Sequence, residues 1–193
     1  MSERAVKSGG LAGVLAGGLF IVTAIIDTVA PIDAVYDSPN EYVYLTVSTV
    51  AFLAVVVAVV GVWALKSRTD QLRRLATVAA WLVGIGYGAM ALLNVVNLVE
   101  GARSLVMVRL GFALVMLIGA VILGVIILRT HLLPWWCGVL MIIAFPLGHF
   151  ANAVFPSAEN ALYVLLWGSI GLALPSRTQV SAERVAAQPA RVG

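Results

Sequence analysis

Residues 43–65 read VYLTVSTVAFLAVVVAVVGVWAL, an apolar run without a single charged side chain. About 20 consecutive apolar residues are enough for an α-helix to cross the hydrocarbon core of a bilayer. The run is continuous, whereas the strands of a membrane barrel alternate apolar and polar residues in short segments. The stretch therefore predicts a transmembrane α-helix.

The composition of the whole chain agrees with that interpretation. Of its 193 residues, 62% are hydrophobic and 11% are charged, and the mean hydropathy is +1.04. A soluble domain typically has about 45–50% apolar and about 25% charged residues. So few charges cannot cover a globular surface in water, and we expect the lipid bilayer to be the main solvent. The length leaves no room for a separate soluble domain.

Five further apolar runs accompany the first, at residues 10–30, 75–99, 105–128, 134–155 and 157–174. Together they predict an all-α, polytopic transmembrane bundle of about six helices, formed as one domain by residues 1–175. Prolines at 31, 134, 156 and 175 are expected at helix ends, and Ser157 or Asn160 is expected to cap the sixth helix. The tail, 176–193, has no clear apolar face and is predicted to be disordered and cytoplasmic.

Lysine and arginine in the loops predict the orientation, because cytoplasmic loops carry an excess of them. Six spans put ten of the 12 on one side: Arg4, Lys7, Lys66, Arg68, Arg73, Arg74, Arg129, Arg177, Arg184 and Arg191. The opposite side has Arg103 alone, and Arg109 lies inside a helix. We therefore expect a cell-membrane protein (inner or plasma membrane) with both termini in the cytoplasm. The basic residues are topology signals, so no nucleic-acid partner is expected.

An N-terminal signal peptide is the alternative reading of the first segment. Arg4 and Lys7, the apolar stretch and the small residues at 28–30 imitate one, and cleavage would leave five spans. Asp27 and the length of the apolar run argue against cleavage.

Glycines recur at four-residue spacing in the first segment, at Gly9, Gly13 and Gly17. Small residues on one helix face let two backbones approach closely in lipid. Gly84 with Gly88, and Ala120 with Gly124, repeat the pattern. The ridges predict either packing within the bundle or, alternatively, contact with a second copy or another membrane protein.

Polar side chains inside the spans collect at one depth, in the outer half of the bilayer. The candidate ligand-binding residues are Asp27, Asn94, Asn97, Arg109, His149 and Asn152. Two pairs are spaced three residues apart and so share a helix face, and Pro146 is expected to kink the helix below His149. We expect an outward-facing pocket for a small polar or anionic ligand, with Arg109 as its charge partner and His149 as a proton-linked group. The same residues could instead hold helices together.

A charge on a transmembrane helix is costly unless it is paired or hydrated. Asp27 lies at about the depth of Arg109, so we expect these two to pair. Glu100, in the turn before the fourth segment, is the second candidate for Arg109.

Two other function classes stay open: an accessory subunit that docks a partner protein through glycine faces, and an enzyme acting on a lipid headgroup with His149 as base. Whether the chain is an enzyme stays undecided. The only histidines are His131 and His149, so a His-Glu-x-x-His zinc motif is absent, and Cys137 is the single cysteine. We expect no cofactor, no metal site and no catalytic residue.

The stretch RTHLLPWWCG at 129–138 resembles a step that opens the penultimate helix in several uncharacterised small bacterial multi-pass families. The glycine-rich first segment is also similar to theirs. The resemblance covers these two regions and implies six helices. It implies no activity and no site residues.

Overall fold

The chain folds into helices joined by short connections. The computed structural model describes residues 3–29, 38–66, 72–100, 105–152, 154–155 and 157–186, and for 66 and 177–186 it describes the backbone alone. The helices are α1 (Glu3–Val29), α2 (Pro39–Lys66), α3 (Arg73–Glu100), α4 (Val106–Thr130), α5 (Trp135–Asn152) and α6 (Ala158–Ala186). The predicted all-α fold with six helices is confirmed.

Five of the helices, α1 to α5, are long and apolar enough to cross a membrane. The described part of α6 falls outside that group. Its first turn carries Glu159, followed by Asn160. The chain is thus an all-α bundle of the multi-pass type. The helix outside the five candidate spans, α6, has a polar first turn.

The sixth helix extends beyond the predicted end of its apolar run at residue 174. Pro175, expected at a helix end, lies inside α6 instead. Its ring packs against α1, since a Cβ on Gly10 would lie 2.8 Å from Pro175 Cγ. Of the predicted tail, residues 176–186 belong to α6 and residues 187–193 lie outside the described residues.

The six helices form a closed ring in chain order. Each helix contacts the next, α6 returns to α1, and α2 also touches α6 across the ring. Successive helices run antiparallel, so the ring has two ends. We call the end where α1, α3 and α5 finish and α2, α4 and α6 begin the polar end. The opposite end, the basic end, has Arg4, Arg73 and Arg129 in the first or last turns of their helices.

Glycine contacts bring α1 against both of its neighbours. Gly9 meets Gly61 of α2, and a Cβ on Gly13 would lie 2.8 Å from the Cα of Gly171 in α6. One turn further, a Cβ on Gly17 would lie 3.0 Å from the Cα of Gly168. The predicted ridge of α1 is therefore buried inside the bundle, where it joins three helices of the same chain.

The other predicted small-residue pairs behave differently from each other. Gly124 of α4 packs against α5, where its Cβ would lie 2.7 Å from the carbonyl oxygen of Gly138. Gly84 and Gly88 make no close approach, since a Cβ on either would meet nothing within 4 Å. Between them Gly86, on another side of α3, packs against Met116 of α4 instead. Spacing along one helix does not say which face meets a neighbour.

The centre of the ring is filled by an aromatic cluster, which comprises Phe20, Phe52, Tyr87, Tyr163 and Trp167. Neighbouring rings have centroids 5.1 to 6.2 Å apart in tilted or edge-to-face arrangements. Such geometries are the favoured ones for aromatic pairs. The indole Nε1 of Trp167 donates to the hydroxyl of Tyr87 at 3.2 Å, which satisfies the buried polar atoms of both. The cluster therefore occupies the space that the four helices α1, α2, α3 and α6 enclose.

We expect Gly13→Ala to destabilise the protein, because the added methyl would meet the backbone of Gly171, which has no flexible side chain to move. Overpacking of this kind costs about 1–3 kcal/mol. The measurement is the midpoint of thermal unfolding in detergent. Gly18→Ala is the matched control, since its Cβ would meet nothing within 4 Å and alanine is the better helix former. Equal loss in both variants would contradict the close approach.

Candidate functional site

Buried polar side chains of the described residues are confined to the half of the bundle nearest the polar end. Seven such side chains are buried: Thr23, Glu41, Ser48, Asn94, Asn97, Ser157 and Asn160. Every one of them lies between the midpoint of its helix and the polar end, or in the turn at that end. Towards the basic end the buried side chains are apolar. The polar asymmetry expected from the sequence is thus present in the packed bundle.

A chain of hydrogen bonds joins α2, α3 and α4 in this polar half. The amide of Asn94 donates through Nδ2 to the hydroxyl of Ser48 at 2.9 Å. Its oxygen accepts from Nη2 of Arg109, also at 2.9 Å. Asn94 is 2% exposed, and Asn97, one turn further along α3, is fully buried. Through its amide nitrogen and its amide oxygen, Asn94 thereby connects α2, α3 and α4.

Arg109 lies in the first turns of α4 and is half-buried. Its backbone N–H donates to the carbonyl of Leu105, the residue that precedes the helix. Leu105 has a left-handed backbone and provides no side-chain cap for α4. The first N–H groups of a helix carry partial positive charge. The guanidinium and the start of α4 therefore add positive potential to the same place.

Glu41 is a buried polar residue of this region that precedes the apolar run predicted as the second helix. It lies in the first turn of α2 and is 3% exposed. Its Oε2 accepts from the backbone N–H of Ser38 at 2.9 Å and from the Ser38 hydroxyl at 3.0 Å. This is the carboxylate half of a capping box, with Pro39 at the first helical position. The order Ser-Pro-Asn-Glu at 38–41 is the signal that could have identified it.

Asp27 does not reach Arg109, and the predicted pair between them is wrong. Within the described residues α1 contacts α2 and α6 but not α4. The Oδ2 of Asp27 lies 3.0 Å from the hydroxyl of Ser157, in the turn before α6. Matched depth was the basis of the predicted pair, and depth alone does not specify which helices are neighbours in the ring.

Ser157 forms a second polar group with Asp27 and Thr28. Its hydroxyl lies 3.0 Å from the hydroxyl of Thr28 and 3.1 Å from the carbonyl of Ala24. With φ at 69°, Ser157 adopts a left-handed backbone that is costly for a residue with a Cβ. It was expected to cap α6, but its side chain instead connects the turn before α6 to the end of α1.

His149 and Asn152 share a face of α5, as the spacing indicates, but that face is exposed. The imidazole of His149 stacks on the ring of Phe145, with centroids 6.4 Å apart and planes 9° apart. The neighbouring Gly148 is buried, and its Cβ would be 3.0 Å from the Cα of Glu159 in α6. His149 and Asn152 thus remain exposed beside this contact with α6 and take no part in the hydrogen bonds of Asn94 with Ser48 and Arg109.

The predicted site residues thus divide into three groups. Asn94, Asn97 and Arg109 come together, Asp27 joins Ser157 and Thr28, and His149 and Asn152 stay at the surface of α5. Glu159, which was not among the candidates, accepts from the hydroxyl of Tyr163 at 2.8 Å. This bond connects the polar end to the aromatic cluster.

No protein-family model, no curated protein and no solved structure matches the chain. What the protein does is therefore inferred from the groups just described.

We expect Asn94→Ala to lower the stability of the bundle, because it removes the acceptor of Arg109 and the donor of Ser48 together. Interhelical hydrogen bonds in membrane proteins are worth roughly 1–2 kcal/mol in the stronger cases. The measurement is thermal unfolding in detergent. Asn152→Ala removes an exposed amide at the same end and is expected to have little effect. A silent Asn94→Ala would show that the three-helix connection contributes no stability.

Proposed function

We propose that the chain is a multi-pass protein of the cell membrane with both termini in the cytoplasm, and that its polar end faces outside and binds a small anionic ligand. The observation that carries the proposal is the hydrogen bond from Arg109 to Asn94 within the buried polar half. It holds a cationic side chain at the rim of an apolar bundle by means of a neutral amide.

The chemistry of Arg109 supports an anion as the ligand. A guanidinium presents five N–H donors in a planar fork, so it can bind Asn94 and a carboxylate, phosphate or sulfate group at the same time. The side chain is half-buried, and it begins at the start of a helix without a side-chain cap. Helix N-termini favour anions through their free N–H groups and dipole. Both features attract the same sign of charge.

The packing of the basic half favours binding over transport. Transport needs a polar path to the other side, and the described side chains buried between the aromatic cluster and the basic end are apolar. Trp167 and Tyr87 lie at the inner limit of the polar half and are 0% and 3% exposed. Polar groups confined to one half of the bundle suit a receptor-like binding protein.

The accessory-subunit alternative draws less support from the bundle. Its proposed docking faces were the glycine ridges, and that of the first helix, at Gly9, Gly13 and Gly17, is buried against α2 and α6. A partner helix cannot use that face unless the ring opens, which leaves Gly84 and Gly88 of α3, where an added Cβ would meet nothing within 4 Å.

The proposed orientation predicts the result of reporter fusions placed after Arg68, Glu100, Glu159 and Gly193. Fusions after Arg68 and Gly193 should report the cytoplasm, because the basic residues lie on that side. Fusions after Glu100 and Glu159 should report the outside. Alkaline phosphatase and a fluorescent protein serve as complementary reporters. A cytoplasmic signal after Glu100, with the Arg68 fusion behaving as expected, would contradict the six-span topology.

The proposed anion site predicts a rise in the unfolding temperature when the right anion is added. The stabilisation by a ligand at 100 times its Kd is about 2.7 kcal/mol. We would add phosphate, sulfate and small carboxylates, one at a time, to the purified chain in neutral detergent. At least one should raise the unfolding temperature of the wild type, and Arg109→Gln should lose that rise.

Arg129→Gln is the control for general salt effects, because Arg129 is an exposed arginine at the other end of the same helix. It should keep the full response to the anion. A response that survives in Arg109→Gln, or no response in the wild type to any of these anions, would contradict the proposed ligand class.

A further inference from the structure

A groove runs between α1 and α6 on the outside of the ring, close to the polar end. Its volume is about 610 Å³, which is within the range of about 300–1,000 Å³ that small-molecule sites occupy. The larger side chains that line it are apolar and about half exposed, and they include Ile21, Ile25 and Leu165. Ala24 and Ala161 also line the groove, and their small side chains leave its volume unfilled. Along both helices the groove lies on the polar-end side of the glycine contact between Gly17 and Gly168.

One end of the groove is polar. Thr28 lines it, and the Thr28 hydroxyl donates to the carbonyl of Ala24 at 2.7 Å. The hydroxyl of Ser157 has one proton, and its oxygen lies 3.0 Å from Oδ2 of Asp27, 3.0 Å from the Thr28 hydroxyl and 3.1 Å from the carbonyl oxygen of Ala24. Because the Thr28 hydroxyl and Oδ2 of Asp27 each lie 3.0 Å from the Ser157 hydroxyl, the carboxylate is close to the Thr28 end of the groove. A hydrogen bond to an ionised acceptor of this kind is stronger than one between neutral groups.

The carboxylate of Asp27 has no basic partner in the part of the chain that the structure describes. Within those residues the ion pair is between Lys7 and Glu3, near the basic end. Asp27 is half-buried, and its contact with Ser157 occupies one of its two oxygens. A negative charge close to the Thr28 end of an apolar groove favours a ligand with an apolar body and a cationic end.

We infer that this groove binds one acyl chain of a membrane lipid whose headgroup carries a protonated amine, with Asp27 as the partner of the ammonium group. The apolar walls suit an acyl chain, since the outside of the ring faces lipid in the membrane orientation proposed above. The carboxylate repels a headgroup with net negative charge and attracts a terminal ammonium. The inference rests on membrane insertion and is independent of the anion site at Arg109, which lies on helices that do not line the groove.

The experiment is a native mass-spectrometry titration of the full-length chain in neutral detergent, with phosphatidylethanolamine and phosphatidylglycerol of identical acyl chains. The wild type should retain the amine lipid about two- to fivefold better, the strength of a partly exposed ion pair. Asp27→Asn keeps an acceptor for Ser157 and should retain both lipids equally. Glu100→Gln, which neutralises an exposed carboxylate at the same end, should behave as the wild type.

A second pair of variants tests the groove itself. Ala161→Trp places a large side chain on an exposed position that lines the groove, and it should reduce retention of both lipids. Leu172→Trp makes the same change at an exposed position further along α6 and should not. Unfolding temperatures of all variants show that the fold is kept. Equal retention of both lipids by the wild type, a preference that persists in Asp27→Asn, or unchanged retention in Ala161→Trp would overturn the inference. Reporter fusions that contradict the six-span topology would instead remove its membrane premise.

Discussion

The architecture depends on the contact of the α1 backbone with the backbones of α2 and α6. Gly9, Gly13 and Gly17 place α1 against Gly61 on one side and against Gly171 and Gly168 on the other. Lipid tails are as apolar as leucine, so association of helices in a bilayer depends on close packing and hydrogen bonds rather than on the hydrophobic effect. The first and last helices must meet for the ring to close, and the glycines allow that contact. The aromatic cluster then fills the centre that the closed ring creates.

Closure of the ring also determines how polar groups are satisfied. A polar group without water must find its partner within the bundle. In the polar half the partners are on adjacent helices: Asn94 connects α2 to α4, and Ser157 connects the turn before α6 to α1. The bonds thus join adjacent elements at two places in the ring, one at α2, α3 and α4 and the other where α6 meets α1. Hydrogen bonds therefore join adjacent helices at the polar end, as glycine contacts join α1 to its neighbours along the rest of its length.

Helix number, the glycine ridge of α1 and the depth of the polar residues could be predicted from the sequence. Each depends on the length or residue spacing of a single segment, or on the fact that successive helices run in opposite directions. The partner of Asp27 and the direction of His149 could not, because both depend on which faces of separate helices meet. Glu41 was missed for a different reason: its capping signal, Ser38 to Glu41, is local and readable, but its burial depends on α2 beginning inside the bundle.

The order of helices in the ring separates the two charges that share one depth. Asp27 belongs to the contact of α1 with α6, and Arg109 belongs to the contact of α4 with α3. Had α1 packed on α4, Asp27 and Arg109 would have lain on neighbouring helices, as their common position along the helices had led us to expect. Instead Asp27 lies against the hydroxyl of Ser157, and Arg109 donates to the amide oxygen of Asn94. A bundle of this topology therefore places a negative and a positive group at the same end but on different helix pairs.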